Sequence, residues 1–356
     1  MNPSSSVRLS APLPRRQFLQ YLGAGALGLA LSGRAARAQD AAAAPAPRSG
    51  ARKLQGVFPI AETPFTPDDK LDLEGLAAEV TFCDRGGVHG LMWPQLASGW
   101  STMNEEERIS GAEAMLAAGK GGNTALVIGV QGPDMATVTR YAKHAAAHGA
   151  DALISLPPAK VTDEKQLLAY YQEVGQITEL PLFCQCTGTM SVDLVVEMVK
   201  TIPTLRHVKD EAGVPLERVG ELIRRTDGQL QVFSGQGVQT MISEMERGFV
   251  GHCPYTGLGD IYAQAYDLWH SGRKQEGFAM FGRILAFASL GTADQNRLLI
   301  SRGVFKPDTH FRTPSAAAGV AAGGGGGGGG ARRALPLNDA GAHAGLETYL
   351  KPYFRA

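Results

Sequence analysis

The sequence is poor in cysteine, in charge and in long apolar runs. Four cysteines in 356 residues are too few for a disulfide scaffold, so an apolar core has to hold the fold. Charged residues make up 19% of the chain and the formal net charge is zero. A chain so balanced offers no broad phosphate-binding surface, and no nucleic-acid partner is expected. The apolar stretch Leu22–Leu31 is broken by glycines and is about half the length that spans a bilayer. Stable membrane insertion is therefore not expected. The 44% of hydrophobic residues exclude a wholly disordered chain and suffice for one large domain or two modest ones.

Acid is missing altogether from residues 1–38, which hold Arg8, Arg15, Arg16, Arg34 and Arg37; all 34 acidic residues follow, leaving the remainder mildly acidic. Pro14-Arg15-Arg16-Gln17-Phe18-Leu19 sets an arginine pair before the apolar stretch, and Ala36-Arg37-Ala38 supplies a small-x-small cleavage site before Gln39. Residues 1–38 thus read as a twin-arginine signal peptide, engaging the twin-arginine export machinery and leaving a periplasmic or otherwise exported product. Gly23-Ala24-Gly25-Ala26-Leu27-Gly28 matches a dinucleotide fingerprint in letters only, since no strand precedes it and no βαβ unit contains it. Residues 39–53, rich in alanine and proline, read as a disordered leader.

From Leu54 short apolar runs alternate with helix-length segments. Strands are expected near 55–60, 88–93, 124–130, 151–156, 180–185, 204–209, 230–234 and 249–254. Helices are expected near 72–86, 104–118, 134–147, 163–176, 191–200, 215–226, 238–247 and 258–270, with Thr162 as an N-cap for the fourth. Eight such units spanning 54–310 fit an α/β fold, a (β/α)8 TIM barrel of about 250 residues. An open doubly wound sheet uses the same units. Two further helices, 272–288 and 290–302, extend the ring. Residues 311–336, with the run Gly323–Gly330, read as flexible. Residues 337–356 read as a tail whose short helix has an apolar side of Leu346, Tyr349 and Leu350, expected to pack back on the domain, the alternative being a tether to a partner.

In a barrel, chemistry sits at the carboxyl ends of the strands. Lys209 ends the sixth strand, and strict alternation puts Leu205, His207 and Lys209 on one face with Arg206 and Val208 on the other. Burial disfavours a charged lysine, and a neutral amine adds to a ketone to form an electron-accepting iminium. The alternative is a rim lysine paired with Asp210 or Glu211. Cys184 and Cys186 share a strand face and Cys253 lies near the end of strand eight, so a soft-metal site built from them with His252 is conceivable, but Cys-x-Cys without a companion pair is no zinc signature, and no metal is expected.

The residues Gly56-Val57-Phe58-Pro59 with Thr63-Pro64-Phe65, Gly86-Gly87-Val88-His89-Gly90-Leu91, Thr102-Met103-Asn104, Lys209-Asp210 with Gly213, and Ser234-Gly235 follow one another as in the dihydrodipicolinate synthase and N-acetylneuraminate lyase family. From Leu54 to about Leu299 the chain resembles that family. The resemblance implies a (β/α)8 fold, a Schiff-base lysine at Lys209 acting on a small-molecule 2-oxo acid, no separate cofactor, and a homodimer or homotetramer.

The departures bear on substrate. Where the family has Gly-Thr-Thr-Gly-Glu, this chain has Gln95-Leu96-Ala97-Ser98-Gly99; Ala159 stands where a proton-relaying tyrosine is usual, and Gln185-Cys186-Thr187-Gly188 replaces an aromatic-Asn-x-Pro segment. Tyr255 and His252 are the candidates for general acid or base. Ser98, Gln185, Thr187, Ser234 and Gln236 are the candidates for binding substrate. Free pyruvate is expected to fit poorly and a larger oxo acid, sugar-derived or aromatic-derived, better. The reading is a lyase of aldolase or dehydratase type; the alternative is a non-catalytic periplasmic solute-binding barrel.

Export makes a direct prediction. Product recovered from the periplasm begins at or near Gln39 by N-terminal sequencing, and replacing Arg15 and Arg16 by lysine leaves full-length precursor in the cytoplasm. Unchanged export of that variant would point to the general secretory route.

Overall fold

The alternating texture of the sequence becomes eight short parallel strands in the computed structural model, which describes residues 52–235, 238–289, 295–312 and 344–356. The strands are β1 (Gly56–Val57), β2 (Gly90–Trp93), β3 (Ala125–Gly129), β4 (Ala152–Ser155), β5 (Leu182–Cys186), β6 (Leu205–Asp210), β7 (Gln231–Ser234) and β8 (Gly251–His252). Each pairs with its sequence neighbour from β2 to β8, and β8 pairs with β1. Ile60 then bridges to Met92 on one side and Tyr255 on the other. Backbone hydrogen bonds from Ala61 N to Met92 O and from Met92 N to Pro59 O close the ring. The fold is thus a (β/α)8 barrel, and the open doubly wound sheet is excluded.

The outer layer comprises α1 (Leu73–Arg85), α2 (Glu105–Ala118), α3 (Met135–Ala147), α4 (Glu164–Gly175), α5 (Val192–Thr201), α6 (Pro215–Arg225), α7 (Met241–Glu246) and α8 (Gly259–His270), followed by α9 (Lys274–Ser289) and α10 (Gln295–Ser301). Short polar side chains start the early helices by accepting from otherwise orphaned backbone N–H groups. Asp72, Asp134 and Ser191 cap α1, α3 and α5, and Asn104 with Glu107 forms a reciprocal capping box on α2. The cap of α4 is Asp163, which accepts from Gln166 N, so the start lies one residue beyond the expected Thr162.

Side chains alternate between two cores. Phe58, Ile60, Met92, Val127, Ile154, Phe183, Phe233 and Cys253 fill the barrel interior. A larger cluster, including Leu76, Val80, Leu91, Leu153, Val208 and Ile261, packs the strands against the helices. Inside, Phe233 meets Phe58 and Phe183 edge-on at centroid distances of 5.2 and 5.1 Å. Three rings in so narrow a barrel need space, and Gly90 and Gly251 provide it: a Cβ at either would collide with the ring of Phe58 or Phe233.

Both ends of the barrel segment reach beyond the expected boundaries. Arg52, assigned to the leader by composition, pairs with Asp151 at 2.9 Å and donates to Gly122 O. Arg312, assigned to the flexible segment, pairs with Asp69 and Glu107 at 2.8 and 2.9 Å. In the tail, Leu346 and Leu350 are buried, whereas Tyr349 is exposed. Arg302 forms a two-pronged pair with Asp260 on α8, stacks on Phe354 at 3.6 Å and donates to Ala356 O. Gln264 donates to Tyr353 O at 2.7 Å. The expected signal peptide, most of the leader and the glycine run lie outside the described residues. Among those described, no helix is long and apolar enough to cross a membrane.

Two alanine substitutions test this packing with opposite signs. Gly90→Ala lowers stability by about 1–3 kcal/mol through overpacking against Phe58. Gly220→Ala, in α6 with open space around it, raises it by about 0.5–1 kcal/mol through helix propensity. Urea denaturation of both variants against the parent checks the pair.

Candidate active site

The position of Lys209 depends on an irregularity in β6. Leu182 pairs with Leu205, yet the next residue, Phe183, pairs with His207, so Arg206 is one residue too many. Leu205 therefore joins the outer core, in contrast to the strict alternation expected from the sequence. Arg206 donates to the carbonyls of Val199, Ile202 and Leu205. Beyond the shift, His207 stacks on Phe183 inside the barrel at 4.3 Å. Burial pushes its imidazole down to about 4, leaving it neutral near neutral pH. Lys209 stands one layer nearer the mouth, in register with Gln185 on β5 and Phe233 on β7.

Lys209 is 4% exposed. Its Nζ lies 2.8 Å from Glu211 Oε1, and Gln185 Nε2 donates to Glu211 Oε2 at 2.7 Å. Glu211 N donates to Cys186 O, fixing the backbone just past the strand. Gly235, just past β7, leaves the room: a Cβ there would collide with Glu211 Oε1 and Lys209 Cε. Asp210 faces outward to Arg218 on α6, at 3.3 Å. Burial raises its carboxyl and Arg218 opposes the rise.

Other polar groups lie past the carboxyl ends of the neighbouring strands. Tyr255 follows β8, and burial, reinforced by Glu62 and opposed by Lys209, holds its hydroxyl above the usual phenol range. Glu62 follows β1 and is 2% exposed. Gln95 and Gln131 both donate through Nε2 to Pro94 O at 2.8 Å. These contacts and the one to Glu211 fix three amide orientations, because each acceptor requires an NH2 group. The Oε1 atoms of Gln95, Gln131 and Gln185 are buried with no hydrogen-bond partner among the described residues. Arg108 supports this wall from behind, donating to Gly129 O at 2.7 Å and Gln131 O at 3.2 Å. Beside the mouth, a cavity of about 450 Å³ is lined by Glu62, Thr63, Ser98, Thr102, His310 and Arg312 among others.

The sequence-derived candidates divide by the face they occupy. Gln185 joins Lys209, and Tyr255 lies within electrostatic reach. Ser98 lines the cavity, but its hydroxyl donates to Ala61 O at 2.6 Å and accepts from Gln95 N, which pins the turn instead of leaving a donor for substrate. Thr187 is part-buried just past β5. Ser234 and His252 are in register with outward-facing Asp210. His252 Nδ1 meets Glu244 Oε2 on α7 at 2.8 Å, so the helix side of the wall holds this imidazole away from Lys209. Burial would raise the Glu244 carboxyl, but His252, Thr240 and Ser234 outweigh it and hold it below its ordinary value. Gln236 lies outside the described residues. Ala159 is exposed. Cys184 and Cys186 belong to the outer core and Cys253 to the inner one, so the barrel wall separates them. Sequence reasoning missed Glu62, Gln131 and Arg108. Gln131 carried a usable signal, lying two positions past inward Gly129.

Parallel strands around a packed interior, with a buried lysine at their carboxyl ends, define a (β/α)8 barrel with an enzyme-like mouth. Residues 53–304 match the dihydrodipicolinate synthetase family, and the chain belongs to it. The 4-hydroxy-tetrahydrodipicolinate synthase of Methanosarcina mazei is 27% identical over 206 residues, covering 55% of this chain and 69% of that protein. The N-acetylneuraminate lyase of Rhizobium meliloti is 24% identical over 233 residues, covering 63% and 76% respectively. Other curated relatives are matched over 44% to 65% of their own length. Among solved structures, YagE of Escherichia coli K12, a prophage protein of the dihydrodipicolinic acid synthase family in complex with pyruvate, superposes with a TM-score of 0.61 at 20% identity, covering 70% of this chain and 87% of that one.

A second buried acid near the mouth supplies a pH test. Glu79 on α1 is fully buried; its Oε1 accepts from Glu62 N at 3.1 Å, and burial pushes the carboxyl from 4.5 up to about 8. Between those values the folded protein keeps a proton that the unfolded chain has released, so stability falls as pH rises. Glu79→Gln lacks this slope. Denaturant unfolding at pH 5 and pH 8 therefore gives a variant-minus-parent stability that grows with pH, by on the order of a few kcal/mol.

Proposed function

We propose that the protein is an exported lyase that forms a Schiff base between Lys209 and the ketone of a 2-oxo acid. The observation that carries this reading is the buried Lys209 Nζ at the strand ends with the Glu211 carboxylate 2.8 Å away. Glu211 accepts a proton from the ammonium and frees the lone pair. The amine adds to C2, and the protonated Glu211 returns its proton to the departing hydroxyl, which leaves as water. The iminium then takes up the electron pair of the C3–C4 bond, with Glu211 taking the C4 hydroxyl proton as that carbon becomes a carbonyl and Tyr255 protonating C3, or of the C3–H bond, with Glu211 taking the C3 proton and Tyr255 protonating the expelled C4 oxygen. Gln185 holds the carboxylate in place throughout, and Tyr255, kept protonated, serves as the proton donor across the mouth.

The amide wall bears on substrate class. Three buried carbonyl oxygens without partners favour a ligand that brings hydrogen-bond donors, because an unmatched buried acceptor costs about 1–3 kcal/mol. A hydroxylated oxo acid, sugar-derived or aromatic-derived, meets that requirement. The family's pyruvate-bound and neuraminate-cleaving members support a 2-oxo acid as the reacting portion. The twin-arginine pattern supports a scavenging or catabolic role outside the cytoplasm.

Borohydride treatment in the presence of hydroxylated 2-oxo acids tests the mechanism. The parent gains the mass of a reduced adduct, and peptide mapping places it on Lys209. Lys209→Ala and Lys209→Arg abolish trapping and turnover while keeping the parent's circular dichroism, since a guanidinium does not yield the free amine. Glu211→Gln lowers kcat by about 10²–10⁴-fold. A label on another lysine overturns the site; turnover without trapping overturns the imine; binding without turnover favours the solute-binding alternative.

A further inference from the structure

Three metal-ligating side chains meet on the helical layer, and none belongs to the mouth. His144 and His148 stand four residues apart at the end of α3, with rings 4.1 Å apart and tilted by 31°. That spacing sets both on one helix face. Glu113, on the neighbouring α2, places Oε1 2.8 Å from His144 Nε2 and 3.6 Å from His148 Nε2. One ligand atom from each residue lies within 4.8 Å of the other two.

The geometry is close to what a tetrahedral ion requires. Ligand atoms about 2.0–2.1 Å from a tetrahedral zinc are roughly 3.3–3.4 Å from one another; the two separations at Glu113 Oε1 bracket that value, and the two imidazoles, within 4.8 Å, close on the ion by a small splay of their rings. The tautomer of His148 is set in the same sense. Its Nδ1 lies 2.8 Å from the carbonyl oxygen of His144. A carbonyl only accepts, so Nδ1 carries a hydrogen, which leaves Nε2 as the ring nitrogen available to a metal. Metal-bound imidazoles are commonly fixed this way, by donation from the other ring nitrogen to a backbone carbonyl.

We infer that Glu113, His144 and His148 form a binding site for a divalent transition ion of the zinc type, clamping α2 to α3. Two imidazoles and a carboxylate suit zinc and disfavour calcium or magnesium, which take all-oxygen shells. Glu113 and His148 are exposed, which gives a fourth ligand position to water. The His-x-x-x-His spacing on a helix is the sequence signal for the site. The cysteines do not contribute, since all four are buried. An ion held only by the folded protein stabilises it by mass action.

Titration calorimetry of zinc chloride into the chelator-stripped full chain tests the site. The expected result is saturable binding of one ion per chain and a raised Tm. Glu113→Gln and His148→Ala each weaken binding about tenfold or more. The double variant His144→Ala/His148→Ala loses both the binding and the zinc-dependent rise in Tm, while its metal-free Tm and circular dichroism match the parent's. Unchanged binding in the double variant, no saturable binding in the parent, or one ion per two chains would each overturn the intrachain site.

Discussion

Closing a parallel sheet on itself leaves each strand residue two places to point, the packed interior or the layer under the helices. The bridge from Ile60 to both Met92 and Tyr255 completes that closure, and the chemistry depends on which residues it turns inward. In β6 the extra residue Arg206 resets the alternation just before the site. His207 and Lys209 then face in, and Asp210 faces out to Arg218. A slip by one residue would exchange those faces. The surplus backbone at Arg206 is stabilised by its own guanidinium, which gathers two carbonyls at the end of α5 and that of Leu205 at the start of β6.

The interior divides along the barrel axis. Phenylalanine and aliphatic residues fill it below, while the mouth collects lysine, glutamate and glutamine. Such a mouth contributes little to stability, because a buried ion pair seldom recovers its desolvation cost. Each member of the Lys209–Glu211–Gln185 chain instead fixes the geometry of the next, and Gly235 leaves them space. Arg108 plays the corresponding part on the far wall, holding the backbone from which Gln131 projects. The polar groups of the mouth hold one another in place, which is the form of support the proposed role of Lys209 requires.

Much of the fold was legible because strand and helix periods leave different marks on a sequence, and the alternation of apolar runs with capped helices was regular from Leu54 onward. Local irregularities were not legible. The Arg206 shift has no compositional signal, since it arises from pairing between β5 and β6. Lys209 and Gln185 could be placed from position along a strand. His252 and Ser234 could not be separated from them, because a difference of one residue at a short strand's end decides which side of the wall a group occupies. Ser98 shows a different difficulty: it lines the neighbouring cavity, but its hydroxyl is consumed by Ala61 and Gln95, a contact that depends on the tertiary course of two loops. The amide wall was hidden for the same reason, as glutamines distant in sequence converge only after closure.

The four buried thiols have a use unrelated to the candidate site. Cys83 lies on α1, Cys184 and Cys186 on the outer face of β5, and Cys253 inside the barrel, so they sample both cores. Burial raises every one of them, which further suppresses the thiolate. A thiol reagent therefore waits on opening of the structure, and its rate of uptake at each cysteine becomes a clock for how often that part of the barrel comes apart. The interior probe and the three beneath the helices divide that clock in two, separating loosening of the outer layer from rupture of the wall itself.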